Sequence, residues 1–206
     1  MQYTDYTGIL PAQRVGKELE TSEESVFHSE NAADDFYSIA RRRLLDVNHW
    51  HEIAGFVSAK FQLVDANGAA LDREMQEGDL IKIDIPGPAS SVGQGYDWVR
   101  IIRLKTYEDG SIQSIAFQVR PTKNPTSDEI AIAHFYGDEA TSTFAVNKVG
   151  MTIAAFVIDR NLLPNEESAN LVDKLRNSAV GIGALGMFSK LQWKGLVTGI
   201  VASKTE

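Results

Sequence analysis

Two periods alternate along this chain. From Ala59 to Arg160 apolar side chains recur at every second position in about six runs separated by turn residues, the pattern of half-buried strands, and the flanking segments carry them at helical spacing. Before the strands, Asn31 with Asp34 and Asp35 reads as an N-cap followed by first-turn acids, after which Phe36, Ile39, Ala40 and Leu44 share one helical face. Arg41, Arg42 and Arg43 come late in that helix, where cations suit its carboxyl end, so they read as a solvated helix end rather than an anion site. A short helical piece from Asn48 to Ala54 stops at Gly55. After the strands, Pro164-Asn165-Glu166-Glu167 opens a closing helix whose stripe is Leu171, Val172, Leu175, Ala179 and Ile182.

Within the strand region, Lys60 to Val64 runs into a turn at Asn67-Gly68, and Ile81, Ile83 and Ile85 alternate with Lys82 and Asp84. Tyr96 opens a strand reaching about Lys105, with Asp97 and Val99 on one face and Trp98 and Arg100 on the other. Ile115, Phe117 and Val119 make the next, and Ile130 to Tyr136 with Thr141 to Lys148 a weaker pair. Met151 to Ile158 is apolar at both parities and belongs in the middle of a sheet covered on both sides. Val26 to His28 is a short first strand, and residues 1–24, polar and without a sustained period, read as an N-terminal extension that is loose or laid over the domain. Residues 25–206 then form a single domain.

One strand, a helix, an antiparallel meander and a last helix predict an α+β fold: a curved antiparallel sheet of about six to seven strands wrapped around a long C-terminal helix. Such an arrangement leaves room for a cavity between sheet and helix. The last helix is rich in glycine, at Gly181, Gly183, Gly186, Gly195 and Gly199, each costing ~1 kcal/mol relative to Ala unless a neighbour packs against the bare backbone. Either something approaches that backbone closely or the helix breaks near Gly186. As one piece, Glu166 to Val201 would run about 54 Å at ~1.5 Å per residue, long for 206 residues, so a bend or two helices is expected.

Composition narrows the function classes. Twenty Lys and Arg against 28 Asp and Glu give a net charge of −8, the wrong sign for a protein that lives on phosphate backbones, so no nucleic acid is expected as partner. The absence of cysteine excludes disulfides, thiolate chemistry and cysteine-ligated zinc, and suits a cytoplasmic, reducing setting. The first residues lack a charged start followed by an apolar run, so no secretory signal is visible, and no stretch approaches the ~20 apolar residues of a transmembrane span.

Few motifs carry chemistry. Gly181-Ile-Gly183-Ala-Leu-Gly186 matches the dinucleotide fingerprint in letters, but a helix rather than a strand precedes it, so no dinucleotide or other cofactor is expected. Gly195-Leu-Val-Thr-Gly199 is a small-xxx-small pattern of close helix packing. His49-Trp50-His51-Glu52 is the densest functional cluster, yet two histidines two apart share a face only on a strand, and no metal site is expected. His51 or Trp50 can instead line a pocket. Arg100 beside Trp98 can bind a carboxylate or lay its stem over the ring, and His134 in the run with Phe135 and Tyr136 is a core or edge histidine or a general base. No Ser sits in an elbow motif.

The run Asn48-His49-Trp50-His51-Glu52, followed by Gly55 to Phe61, resembles the small-helix, Trp, second-strand junction of the START-like helix-grip superfamily of lipid-transfer, pollen-allergen-like and polyketide-cyclase-type proteins. The resemblance spans roughly Glu24 to Val201. It implies an apolar cavity between sheet and final helix, with the loop from Pro86 to Gly95 near its mouth. Because the superfamily includes hydrolases, cyclases and dehydratases, the resemblance does not choose between enzyme and carrier.

Three functions follow. The first is a binding protein for a small apolar or amphipathic molecule, with Trp50, His51, Ile83, Trp98, Arg100, Phe117, His134, Phe144, Phe156 and Leu185 as candidate ligand-binding residues. Those apolar side chains would equally fill an ordinary core. The second is a cyclase- or dehydratase-type enzyme with His51 or His134 as base and Asp84 or Arg100 orienting the substrate. The third is a non-catalytic scaffold offering its glycine-rich helix or a strand edge to a protein.

Overall fold

In the computed structural model, residues 2–55, 59–84, 93–128, 130–163 and 181–203 are described, without the side chains of 181–189. Seven strands among them form one sheet: β1 Lys17–Val26, β2 Lys60–Val64, β3 Leu80–Asp84, β4 Asp97–Asp109, β5 Ile112–Pro121, β6 Thr141–Val149 and β7 Thr152–Leu162. Their order is β1-β7-β6-β5-β4-β3-β2, and every neighbouring pair is antiparallel. Three helices lie among the described residues: α1 Glu30–Leu45, α2 Trp50–Ile53 after a 3-10 turn at Val47–His49, and α3 Gly181–Val201.

Several boundaries differ from the sequence expectation for identifiable reasons. The first strand is ten residues long and begins at Lys17, not the short stretch Val26 to His28. It lies at the sheet edge, where its main chain pairs with β7 while Glu18, Glu20, Glu23 and Glu24 keep it polar, so its apolar signal is faint. Ser29, not Asn31, caps α1, its side chain accepting from the Ala32 amide at 3.2 Å. Residues Ile130 to Tyr136 are no strand but a loop hung between neighbours: Ala133 donates to Thr122 at 3.0 Å and accepts from Trp98 at 2.8 Å, while Ile130 stays exposed.

Register assigns each side chain a face. The inner face carries Phe61, Ile101, Phe117, Phe144 and Val157, which join α1 and α3 residues such as Leu44, Leu196 and Ile200 in the main core. Trp50 sits inside it, its indole N–H donating to the Arg43 and Leu44 carbonyls at the end of α1 and its ring edge-on to Phe61 at 5.1 Å. On the outer face Ala116, Ala145, Phe156 and Ile158 form a second cluster, closed by Ile9. Residues 2–16 are thus laid over the sheet. Tyr3 packs on Phe156 with ring centroids 5.0 Å apart, Asp5 accepts from the Leu10 amide at 2.8 Å, and Asn161 accepts from the Arg14 amide at 2.7 Å. This cover explains why β7 is apolar at both parities.

The glycines of α3 divide by position. The backbone is helical through Gly186 without interruption, so the expected break there is absent, and Leu171 to Ala179 of the expected stripe lie outside the described residues. A Cβ at Gly195 would lie 2.2 Å from the Ala54 carbonyl oxygen, and one at Gly199 2.2 Å from that of Ile53. The small-xxx-small pattern is therefore a seat in which the end of α2 rests directly on the α3 backbone. Arg43 fixes the far end of the same helix, one guanidinium nitrogen donating to the carbonyls of Gly199, Ile200 and Ala202 at 3.1, 3.0 and 2.8 Å. Its partner is the dipole of α3 rather than solvent at the end of its own helix.

Candidate functional site

Asp97 and Val99 share a parity on β4, as do Val157 and Asp159 on β7, and the two valines belong to the inner-face core. Strand geometry therefore points both carboxylates inward, and both are almost fully buried, at 5% and 4% exposure. Between them runs the loop bearing His134, Phe135 and Tyr136, with His134 stacked on Phe135 at 4.5 Å between centroids and Tyr136 tilted against Phe135 at 4.3 Å. The Phe135 amide donates to the Asp97 carboxylate. Asp97 Oδ2 has no hydrogen-bond partner and lies 3.9 Å from His134 Nε2. His134 Nδ1 accepts from the Tyr136 amide at 3.0 Å, which assigns the ring proton of the neutral imidazole to Nε2, facing Asp97. Asp159 accepts from Ser142 Oγ at 2.6 Å and from the Trp193 indole on α3.

Loss of water dominates the electrostatics. Burial pushes Asp97 up to about 7 against the pull of the Phe135 amide, and Asp159 up to about 6 against its bonds from Ser142 and Trp193. The same desolvation drives His134 down to about 3 and, aided by the charge of Asp159, lifts Tyr136 to about 12. Near neutral pH the group is a neutral histidine, a neutral tyrosine, an ionised Asp159 and an Asp97 poised between its two forms. No Lys or Arg among the described residues is paired with either carboxylate.

The residues singled out from the sequence are dispersed. Trp50, Phe117 and Phe144 meet on the inner face, but they pack on one another with centroids 4.9 to 6.1 Å apart and are core rather than pocket wall. Ile83 faces inward beside Asp97, its register partner. Trp98, Arg100 and Phe156 lie on the opposite face by strand parity, so none of them lines a space between sheet and α3; Trp98 packs with Val64, Leu80 and Ala133, and Arg100 is exposed. The side chain of Leu185 and the loop from Pro86 to residue 92 lie outside the described residues. The His49–Glu52 cluster splits: His49 pairs with Asp46 at 2.8 Å, Trp50 enters the core and His51 turns outward.

His51 and Asp84 do meet, in an outer groove of about 330 Å³ lined also by Lys60, Gln62, Lys82 and Tyr96. Lys82 Nζ lies 3.5 Å from the Tyr96 ring centroid. His51, Lys60 and Asp84 are all exposed, so water screens their charges and none is held in a defined pose. Of the two places, the inner carboxylates are the one where the fold sustains an unfavourable burial.

The order of strands, the antiparallel pairing throughout and the terminal helix laid across the inner face decide the architecture. The chain has a helix-grip fold. Solved structures similar to this helix-grip chain include the hypothetical protein jhp0584 from Helicobacter pylori, 12% identical over 92% of this chain and 96% of that one, with a TM-score of 0.47. Major latex-like protein 151 from Panax ginseng is 11% identical over 91% and 100%, with a TM-score of 0.43. Protein Ms6760 from Mycobacterium smegmatis is 11% identical over 92% of both chains, with a TM-score of 0.41. No protein-family model and no curated protein matches the sequence.

Asp97, Asp159 and Tyr136 were not among the residues chosen from the sequence. The first two did carry a signal: each is an acid at a core parity, Asp97 in step with Val99 and Ile101, Asp159 in step with Ala155 and Val157. Tyr136 carried none, because an irregular loop places it.

Proposed function

We propose that the protein binds a small amphipathic molecule between the inner face of the sheet and α3. The polar end of the ligand meets Asp97, and its apolar body lies against Phe135 and Tyr136. One observation carries this: Asp97 Oδ2 is buried without a hydrogen-bond partner on an otherwise apolar face. A buried unpaired carboxylate oxygen costs a fold stability, and such a cost persists where a ligand supplies the missing partner. A mostly apolar surface with a few convergent polar groups suits a carrier or sensor site. The negative net charge and cysteine-free chain suit a cytoplasmic protein that does not hold nucleic acid. Among the described residues no helix is long and apolar enough to cross a membrane.

Native mass spectrometry of the purified protein, with displacement of the neutral probe N-phenyl-1-naphthylamine followed by fluorescence, tests the proposal. A co-purifying small molecule, or saturable probe binding that alters Trp193 emission and is lost on replacing Tyr136 and Phe135 by Ala, is the expected result. A protein that carries no adduct and binds no probe overturns it. A catalytic function at the same place is favoured by Asp97, a buried carboxyl that exchanges its proton near neutrality, with the neutral His134 ring 3.9 Å from its Oδ2.

A further inference from the structure

Charge accounting sharpens the ligand class. Buried carboxylates in folded proteins are normally matched by a cation or held by several N–H donors. Asp159 has two neutral donors, Ser142 and Trp193; Asp97 has one backbone amide, and its second oxygen has none. The nearest ring that could carry a positive charge, His134, is held neutral by its burial. A metal ion is a poor complement, because among the described residues no three His, Asp or Glu side chains are arranged to hold one. The loop between the acids presents aromatic surface, Phe135 stacked on His134 and tilted against Tyr136, and aromatic faces attract organic cations.

Building on the binding function proposed above, we infer that the ligand is an organic amine whose ammonium group is the missing counter-ion of Asp97, its hydrocarbon part lying on the Phe135 and Tyr136 rings. The ammonium donates to Asp97 Oδ2, the carboxylate oxygen left open. A neutral alcohol of the same shape could make the hydrogen bond but leaves the charge unmatched. A carboxylate adds repulsion to it.

Three small probes of one shape separate these outcomes: 2-phenylethylamine, 2-phenylethanol and phenylacetate, titrated against the full chain at pH 8 by calorimetry and by ligand-observed NMR. The amine should bind about tenfold or more tighter than the alcohol, the margin of a charge-assisted over a neutral hydrogen bond, and phenylacetate weakest. In Asp97→Asn the amine should fall to the affinity of the alcohol, whose own affinity stays within about twofold. Equal binding of amine and alcohol by the native chain, or an amine preference that survives Asp97→Asn, overturns the inference. If N-phenyl-1-naphthylamine binds while the amine preference is missing, only the cationic ligand falls; if neither that probe nor any of the three binds, the binding function falls with it.

Discussion

Asp97→Asn should make the protein more stable above neutrality and leave it nearly unchanged in acid. In the fold, burial raises Asp97 from the ordinary 3.8 to about 7. An acid whose folded-state value is raised is favourably buried while protonated, so its contribution is fully present below the unfolded value and is lost as pH climbs through the folded one. A gap of about three pH units at ~1.36 kcal/mol each sets an upper bound near 4 kcal/mol, and relaxation of the site brings the expected loss to about 2–4 kcal/mol between pH 4 and pH 8. Asn has the same shape and no charge to bury, so the variant escapes that loss. Other groups facing Asp97 titrate too: His134, held neutral, favours the fold increasingly from about pH 3 to 6.5, while Asp159 acts in the same sense as Asp97 up to about 6. Both are present in both proteins, so the difference between the two isolates Asp97. Urea unfolding at pH 4.5, 6 and 8.5, followed by the emission of Trp50, Trp98 and Trp193, supplies that difference. A gap that stays the same at all three values, or a variant less stable than the native chain at pH 8.5, refutes the reasoning.

Other substitutions probe the frame that holds the site. Gly195→Ala and Gly199→Ala, which in an exposed helix would gain about 1 kcal/mol, should each destabilise by about 1–3 kcal/mol, because the new methyl meets the Ala54 or Ile53 carbonyl oxygen at 2.2 Å and neither backbone can yield; thermal melts read the sign directly. Arg43→Ala removes three carbonyl bonds at the end of α3 and should cost about 1–2 kcal/mol, with Arg43→Lys recovering only part of it in denaturant titration. Phe117→Ala, in the closed aromatic core, should cost about 3–5 kcal/mol while probe affinity stays within about threefold, since that ring touches Trp50 and Phe144 rather than the loop at Asp97.

The fold was readable where one physical signal acted alone. Strands β2, β3 and β5 announce themselves by strict alternation, and Asn48 to Ala54 by its stop at Gly55, whose φ of +87° suits no other residue well. Strand β1 was missed because an edge strand is held by main-chain bonds, to which side-chain pattern is blind. Ile130 to Tyr136 was misassigned because alternation by chance in a loop looks the same as alternation by design. At the site the same limits operate. Trp98 and Phe156 are large and apolar, yet the register turns them to the outer face, and their identity as aromatics says nothing of which of two cores they fill. Asp97 shares a face with Val99 on parity alone, but parity does not say which face of a strand turns to the main core, and Asp159 lies one residue past the apolar run that ends at Ile158.

Because the sheet buries apolar rows on both sides, residues 2–16 do for the outer row what the helices do for the inner one. Ile9 and Tyr3 are the lid on Phe156, Ala116 and Ala145. Trimming the chain to start at β1 would therefore strip a greasy plank rather than tidy a tail, and the shortened molecule should pair plank to plank or precipitate. For anyone expressing this protein, a cleavable tag in front of residue 1 is safer than a trimmed start.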